Sequence, residues 1–343
     1  MKVFYSPAHL DHAPPEEFEG GRMNPAVEVP ARVERVKAEA ERRGIGPITA
    51  PATFGLAPVA RVHDAGLVKF LGEASELWRK RHGEDAPAAI PSAWPGRGMR
   101  NRFDGDIEAR LGTYAFDTAT PILKGTWDAT LAAVNCALSA AAEIKTGARA
   151  AFALARPPGH HASADVFGGY CYLNNVAIAA QWFVDHGLRP AILDVDYHHG
   201  NGTQSIFYGR GDVLFCSLHG DPSFAYPHFL GFADETGARG GEGANLNLPL
   251  PMYTAWDRYG EALDVALRRI ADFGPDVILV SLGLDTFEAD PISRFKLAAA
   301  DYLRLGERIA SLRKPTLFQF EGGYNLDALA EITVNVLEGF EGG

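Results

Sequence analysis

The second half of the chain alternates between short apolar segments and longer segments in which apolar residues recur at helical spacing. The short segments are typical of buried parallel strands, and they fall at 150–154, 191–195, 212–218, 277–282 and 316–320. The longer segments predict helices at 175–186, 255–273, 301–312 and 326–340. Repeated strand–helix units predict an α/β fold, in which a mostly parallel sheet carries helices on both faces and right-handed crossovers join the strands.

The first half of the chain adds elements that the same sheet can use. A strand is expected at 2–6, and helices are expected at 33–43, 65–81 and 127–144. Asp64 stands directly before the second of these helices and is a suitable N-cap. Prolines and a Gly pair within 14–21 predict an irregular segment there.

A long segment at 83–106 interrupts this pattern. It is rich in Pro and Gly and places three arginines between Trp94 and Phe103. A loop of this length inside a compact fold usually has a function or makes a contact. Since regular elements on both sides are needed for one sheet, we expect a single domain over 1–343 with an insertion loop at about 83–106.

Composition narrows the classes of function. The chain has 32 Lys and Arg against 43 Asp and Glu, a formal charge of −11, and no basic run, which argues against nucleic-acid binding. No apolar run is long enough to span a membrane, and the N-terminus does not resemble a signal peptide. The three cysteines are far apart in sequence, so we expect a reducing, cytoplasmic environment.

The candidate chemistry is concentrated where the strand at 191–195 ends. Asp194, Asp196 and His198 follow one another at every second position. If the backbone stays extended, they project to one side, about 6–7 Å apart at ~3.3 Å per residue. Carboxylate and imidazole at this spacing can ligate one divalent ion. The alternative is a strand end with a polar turn.

The other predicted strands also end in polar residues, and parallel strands bring such ends to one edge of the sheet. These residues are His160 and His161, Ser217 to Asp221, Asp285, and Glu321 to Tyr324. Taken singly, each has a structural explanation, such as surface histidines, a helix N-cap at Asp285 or a turn around Tyr324. Tyr170 and Tyr226 are equally ordinary as core or surface aromatics. The joint placement of these groups beside Asp196 favours a metal-dependent active site.

Six motifs carry a specific resemblance that spans nearly the whole chain. They are 156–162 (RPPGHHA), 169–175 (GYCYLNN), 194–200 (DVDYHHG), 217–219 (SLH), 282–285 (LGLD) and 321–324 (EGGY). In this order they closely resemble the zinc-dependent histone deacetylase superfamily. The EGGY motif, segment 221–231 and the long 83–106 loop are similar to the bacterial acetylpolyamine amidohydrolase branch.

The resemblance implies the arginase/deacetylase α/β fold and a set of roles for the matching residues. It assigns Zn2+ to Asp196, His198 and Asp285, although such a ligand set also accepts Fe2+ or Co2+. It makes His161 the general base and acid, His160 an electrostatic partner bonded to Asp194, and Tyr324 the donor to the oxyanion. The walls of the substrate tunnel would be Tyr170 and Tyr226, and a structural K+ would lie near Asp194, Asp196, His198, Ser217 and Leu218.

Two positions depart from the family pattern. Asn201 stands where many members have Asp beside the second histidine, so we expect His161 to be neutral more readily at rest. The polyamine branch places two glutamates opposite the distal ammonium of the substrate. Glu108 matches the first, whereas Ala119 replaces the second and Asp117 is the acidic residue nearby.

The leading interpretation is a zinc amidohydrolase that deacetylates acetylated polyamines or other small cationic acetylated amines. The alternative is a deacetylase of acetyl-lysine in proteins. An arginase-type enzyme would have no use for Tyr324, and the intact histidine pair argues against a purely binding protein. In the branch that the chain resembles, the long loop builds a dimer, so a homodimer is expected.

Overall fold

The computed structural model describes residues 1–343, apart from the side chain of Glu19. The described residues form an eight-stranded sheet with the order β4-β1-β5-β10-β9-β6-β7-β8 and a separate hairpin of β2 and β3. Neighbouring strands of the large sheet run parallel throughout. The strands are β1 Lys2–Phe4, β2 Glu16–Glu19, β3 Arg22–Pro25, β4 Ile48–Thr49, β5 Ala150–Ala153, β6 Pro190–Asp194, β7 Leu214–Gly220, β8 Asn245–Leu250, β9 Val277–Leu282 and β10 Thr316–Phe320.

Helices cover both faces of the large sheet, as the sequence predicts. On one face α1, α7, α8 and α9 contribute to a large apolar cluster, and on the other face α4 and α5 pack against the strands. A third cluster joins α2 and α3 to α4. The helices are α1 Ala31–Arg43, α2 Ala65–His82, α3 Ile107–Tyr114, α4 Thr126–Lys145, α5 Asn175–Asp185, α6 Asn201–Phe207, α7 Trp256–Phe273, α8 Ala299–Ala310 and α9 Leu329–Gly342.

The sequence of β6 explains its position in the sheet. The strand lies between β9 and β7, where both of its faces are covered, and all five of its residues are buried. A run of apolar residues suits such a position because neither face meets water. Asp194 closes the strand in register with Ser217 of β7 and Ser281 of β9. The carboxyl ends of these parallel strands therefore lie together at one edge of the sheet.

Two local expectations are corrected. Residues 14–21 are not wholly irregular, because they include β2, which pairs with β3 at Arg22–Pro25 as an antiparallel hairpin. The backbone leaves the sheet after Asp194, so the extended strand does not continue to His198. The structure also contains α3, α6, β4 and β8, which the residue pattern does not predict.

The 83–106 segment is irregular, as expected, yet it is tied to the body of the protein. Ala89 exchanges two backbone hydrogen bonds with Ile122 (2.9 and 3.0 Å), and the Trp94 indole donates to the carbonyl of Ala115 (2.8 Å). Met99 and Phe103 remain exposed at its outer surface. Among the described residues, no helix is both long and apolar enough to cross a membrane.

Candidate active site

Asp196, His198 and Asp285 meet at the edge of the sheet where β6 and β9 end. One ligand atom from each lies within 4.8 Å of the others, and all three residues are buried. The imidazole Nδ1 of His198 is 2.8 Å from the carboxylate of Asp285 and 3.3 Å from that of Asp196. Two carboxylates and an imidazole at this separation are a ligand set that would hold a divalent ion such as Zn2+.

The backbone around this group explains why the sequence has glycine beside it. A Cβ atom on Gly283 would lie 1.9 Å from the carboxylate of Asp196, and one on Gly322 would lie 2.5 Å from it. Instead, the Gly322 N–H donates to Asp196 (2.9 Å), and the Tyr197 N–H donates to Asp285 (2.8 Å). The two carboxylates are therefore fixed by main-chain donors before any ion binds.

The electrostatics of the group also favour a cation. Burial and the neighbouring charge of Asp196 raise the pKa of Asp285 to about 7. Two carboxylates in a buried site are unfavourable unless a positive charge joins them. The chemistry of these donors thus fits the divalent ion that the sequence predicts.

His160 lies beside the candidate metal ligands and is held in a charged form. Its Nδ1 is 3.0 Å from Asp194, and both residues are buried. Burial disfavours the imidazolium, but Asp196 and Asp194 outweigh it and raise the pKa of His160 to about 10. Asp194 thus contacts His160 and is not part of the ligand cluster of Asp196, His198 and Asp285.

His161, the next residue, has the opposite electrostatic setting. Its Nδ1 lies 2.6 Å from the side-chain oxygen of Asn201 at the start of α6. Burial, with the adjacent charges of His160 and His198, places the pKa of His161 well below its usual value. A neutral imidazole whose Nδ1–H donates to Asn201 presents Nε2 as a proton acceptor.

Tyr324 lies in the loop that follows β10 and reaches the same space. Its backbone N–H donates to Asp290 (2.7 Å), and its ring lies 5.6 Å from that of Tyr170. The Arg32 guanidinium lies 4.6 Å from the centre of the Tyr324 ring, and it donates to the backbone oxygens of Gly323 and Glu321, each at 2.6 Å. Arg32 thus holds the loop that carries Tyr324.

A cavity of about 400 Å³ opens over these groups. Its lining includes His161, His198 and Tyr324, together with Tyr170 and Tyr226, whose role as tunnel walls stays a prediction. The other lining residues are Phe18, Gly20, Asp117, Thr118, Ala119, Gly169, Tyr197, Phe224, Ala225, His228, Ile292 and Arg294.

Asp117 belongs to the wall of this cavity, and its oxygens are engaged there. One oxygen accepts from the Tyr226 hydroxyl (2.8 Å) and the Gly169 N–H (2.7 Å), and the other accepts from Thr120 and the Ala119 N–H (both 3.1 Å). Burial raises the pKa of the Asp117 carboxyl. Its observed contacts fix the position of Tyr226.

Glu108, the other acidic residue expected at the tunnel, lies elsewhere. It is half-exposed in the first turn of α3 and is 3.3 Å from the imidazole of His82. It is absent from the described lining of the cavity. A single chain therefore does not bring Glu108 to the substrate space.

The residues named for K+ are adjacent and buried. Ser217 pairs in register with Asp194, and its hydroxyl is 2.8 Å from Nδ1 of His219. Leu218 follows it and is fully buried. The K+ site itself stays a prediction.

Sequence reasoning missed the charged residues that support these loops. Glu28 accepts from Arg32 and Arg156 at 2.8 Å each, and all three side chains are buried. The Glu321 carboxylate accepts from the N–H groups of Gly159 (2.6 Å) and His160 (3.3 Å). The motif around Glu321 drew attention to that residue, whereas Glu28 and Arg32 carry no local signal.

Comparison with known proteins agrees with this geometry. The model of the histone deacetylase domain matches residues 26–340. Acetylpolyamine amidohydrolase 2 of Pseudomonas aeruginosa is 49% identical over 343 residues, which cover 100% of this chain and 99% of that protein. Acetylpolyamine amidohydrolase of Mycoplana ramosa is 47% identical over 345 residues and covers 100% of both chains.

A solved structure extends the likeness to the fold. The acetylpolyamine aminohydrolase from Burkholderia pseudomallei superposes with a TM-score of 0.94 at 40% identity, covering 99% of this chain and 98% of that one. The expected deacetylase fold is thereby confirmed. From the match along its length and the shared fold, the chain belongs to the histone deacetylase family.

Proposed function

We propose that this protein is a metal-dependent amidohydrolase that removes the acetyl group from N-acetylated polyamines and other small acetylated amines. The observation that carries the proposal is the buried group of Asp196, His198 and Asp285 at the floor of a cavity that also presents His161 and Tyr324. The relatives named as acetylpolyamine amidohydrolases support the substrate class.

The metal ligands, His161 and Tyr324 have different roles in the proposed reaction. Asp196, His198 and Asp285 would hold a divalent ion, which would supply Lewis-acid chemistry to the amide carbonyl and the attacking water. Neutral His161 accepts a proton from that water at Nε2 and returns it to the departing amine. The Tyr324 hydroxyl donates to the carbonyl oxygen as negative charge develops on it.

His160 has a different part in this scheme. The carboxylates of Asp196 and Asp194 together raise the pKa of His160 to about 10, so its imidazole contributes positive charge without exchanging a proton with the substrate. A fixed positive charge in a buried site stabilises developing negative charge more than it would in water.

The cavity suits a slim acyl-amine. Tyr170 and Tyr226 present aromatic surface on its walls, where an alkyl stem can pack while its polar far end reaches solvent. A folded protein surface could reach the floor only through a long side chain such as acetyl-lysine. We therefore rank small amines before acetylated proteins.

The proposal includes Zn2+ as the ion, a structural K+ near Asp194 and Ser217, and a homodimer built on the 83–106 loop. Exposed Trp94, Met99 and Phe103 give that loop an apolar surface that suits a subunit contact. We propose a cytoplasmic location, which buried free thiols at Cys136, Cys171 and Cys216 support.

The test compares kcat/KM for acetate release from N-acetylputrescine and from an acetyl-lysine peptide. We expect the diamine derivative to be the better substrate. A preference for the peptide would instead assign the protein to acetyl-lysine hydrolysis. Failure to release acetate from either compound by metal-loaded protein would refute the proposed activity.

A further inference from the structure

The mouth of the active-site cavity carries a cation, the guanidinium of Arg294. The exposed side chain of Arg294 lines the cavity, and it has no ion-pair partner among the described side chains. Its position is anchored through the main chain, because its carbonyl accepts from the Tyr253 N–H at 2.8 Å. The guanidinium is therefore available to a ligand.

Arg294 belongs to the wall that leads down to the candidate metal ligands. Its charge acts on Tyr197, a buried residue whose ring packs edge-on against that of His198 with centroids 4.9 Å apart. A ligand whose reacting group lies at His198 and whose stem follows this wall would bring its far end towards the guanidinium.

Among the described side chains that line the cavity, no carboxylate is comparably free. Asp117 is the carboxylate among the described lining side chains, and donors from the wall engage both of its oxygens. Ala119 lines the cavity beside it, and Glu108 lies outside. A distal ammonium would therefore meet no unengaged carboxylate on the described lining, whereas a distal anion would meet Arg294.

The overall charge of −11 does not cancel this local effect. At physiological ionic strength, charges more than about 8 Å from a ligand group are largely screened. The nearby guanidinium then acts on the far end of the ligand more strongly than distant surface carboxylates do. Its planar group of donors also matches a carboxylate in geometry.

We propose that Arg294 forms a carboxylate subsite at the mouth of the cavity, so that the enzyme also deacetylates acetylated amines whose far end is a carboxylate. The inference rests on the proposed deacetylase function and extends its substrate class to acetamidocarboxylates. With 6-acetamidohexanoate, hydrolysis breaks the amide C–N bond. The water oxygen goes to acetate and a proton goes to the amine, which gives 6-aminohexanoate without any further reactant.

The test uses two substrates with the same stem of five methylene groups. 6-Acetamidohexanoate ends in a carboxylate, and N-acetylcadaverine ends in an ammonium. We expect Arg294→Gln to lower the ratio of kcat/KM for the carboxylate substrate to that for the ammonium substrate by roughly fivefold, the upper range for an exposed ion pair. Arg294→Lys should preserve much of the ratio because the charge remains.

Lys296→Gln is the matched control. It removes the same charge two positions along the chain, from a side chain that donates to the carbonyl of Glu288 and lies outside the cavity lining. This variant should leave the substrate ratio unchanged. An equal fall in Arg294→Gln and Lys296→Gln would assign the effect to net charge and overturn the subsite.

Binding provides a second readout that needs no turnover. Two alkyl hydroxamates with one stem, ending in carboxylate or ammonium, are titrated calorimetrically into metal-loaded wild type and Arg294→Gln. We expect the substitution to weaken the carboxylate compound severalfold and to spare or strengthen the ammonium compound. If both compounds lose affinity equally or neither changes, the inference is wrong, whatever the deacetylase assay shows. Loss of acetate release with the hydroxamate difference intact would instead refute the proposed reaction.

Discussion

Glu28 provides a prediction whose size follows from the structure. Its Oε1 accepts from Arg32 and from Arg156, and the three side chains are at most 2% exposed. Glu28→Gln keeps the shape of the side chain but leaves two buried guanidinium groups without their shared negative charge. Breaking a buried ion pair in this way destabilises a protein by about 3–5 kcal/mol.

This loss in the free energy of unfolding can be expressed as a shift in the melting temperature. An unfolding entropy of about 2.1 cal/mol/K per residue gives about 0.7 kcal/mol/K for 343 residues. We therefore expect calorimetry to show a midpoint roughly 4–7 °C lower for Glu28→Gln. Glu34→Gln is the control, since Glu34 pairs with His9 while 42% exposed and should shift the midpoint far less.

The pH dependence of this stabilisation has a defined sign. Burial favours the neutral acid, but Arg156 and Arg32 hold the pKa of Glu28 below its usual value of 4.5. The contribution is therefore complete above about pH 4.5 and is lost as the pH falls through the lower folded value. An unchanged melting temperature for Glu28→Gln at pH 7, or a difference from wild type that grows on acidification, would refute this reasoning.

Three further predictions concern the active site and the loop. Tyr324→Phe should retain fold and metal content and lower kcat by roughly 10²–10³-fold, because one donor to the developing oxyanion is lost; near-normal turnover would exclude that role. His161→Ala should abolish turnover but keep the metal, whereas Asp285→Ala should lose the metal. Elemental analysis of both purified variants measures this, and a His161→Ala protein without metal would show that His161 is a metal ligand. Met99→Glu, at a side chain 72% exposed, should give a monomer in sedimentation at micromolar concentration. The control Leu303→Glu on α8 should remain dimeric, and a monomeric wild type would contradict the dimer outright.

The parallel sheet could be predicted because most of its strands are short runs of apolar residues that can be read directly from the sequence. β9 and β10 coincide with the mostly apolar runs 277–282 and 316–320, since strands buried on both faces are rich in apolar residues. By contrast, β8 has Asn245 and Asn247 on its buried side, where their amides donate to the side-chain oxygen of Gln204. Partners of this kind become visible only after the chain has folded, so the pattern of residues alone did not indicate a strand.

In the candidate site, too, some residues are indicated by the local sequence and others are brought together only by folding. The cluster of Asp196, His198 and Asp285 was predictable because each residue follows a buried strand, and parallel strands place their ends together. The support that Arg32 gives to the Tyr324 loop joins positions 291 residues apart and has no local signature. Glu108 matches a family position in sequence, yet the path of the chain leaves it outside the cavity.

The most direct test of the central claim measures metal content and acetate release in one preparation. Purified protein is assayed with N-acetylputrescine as isolated, after removal of metal by a chelator and dialysis, and after Zn2+ is restored. The account predicts about one catalytic divalent ion per chain, loss of turnover with its removal, and recovery in proportion to the Zn2+ bound. Undiminished acetate release from protein shown to be free of divalent metal would contradict it.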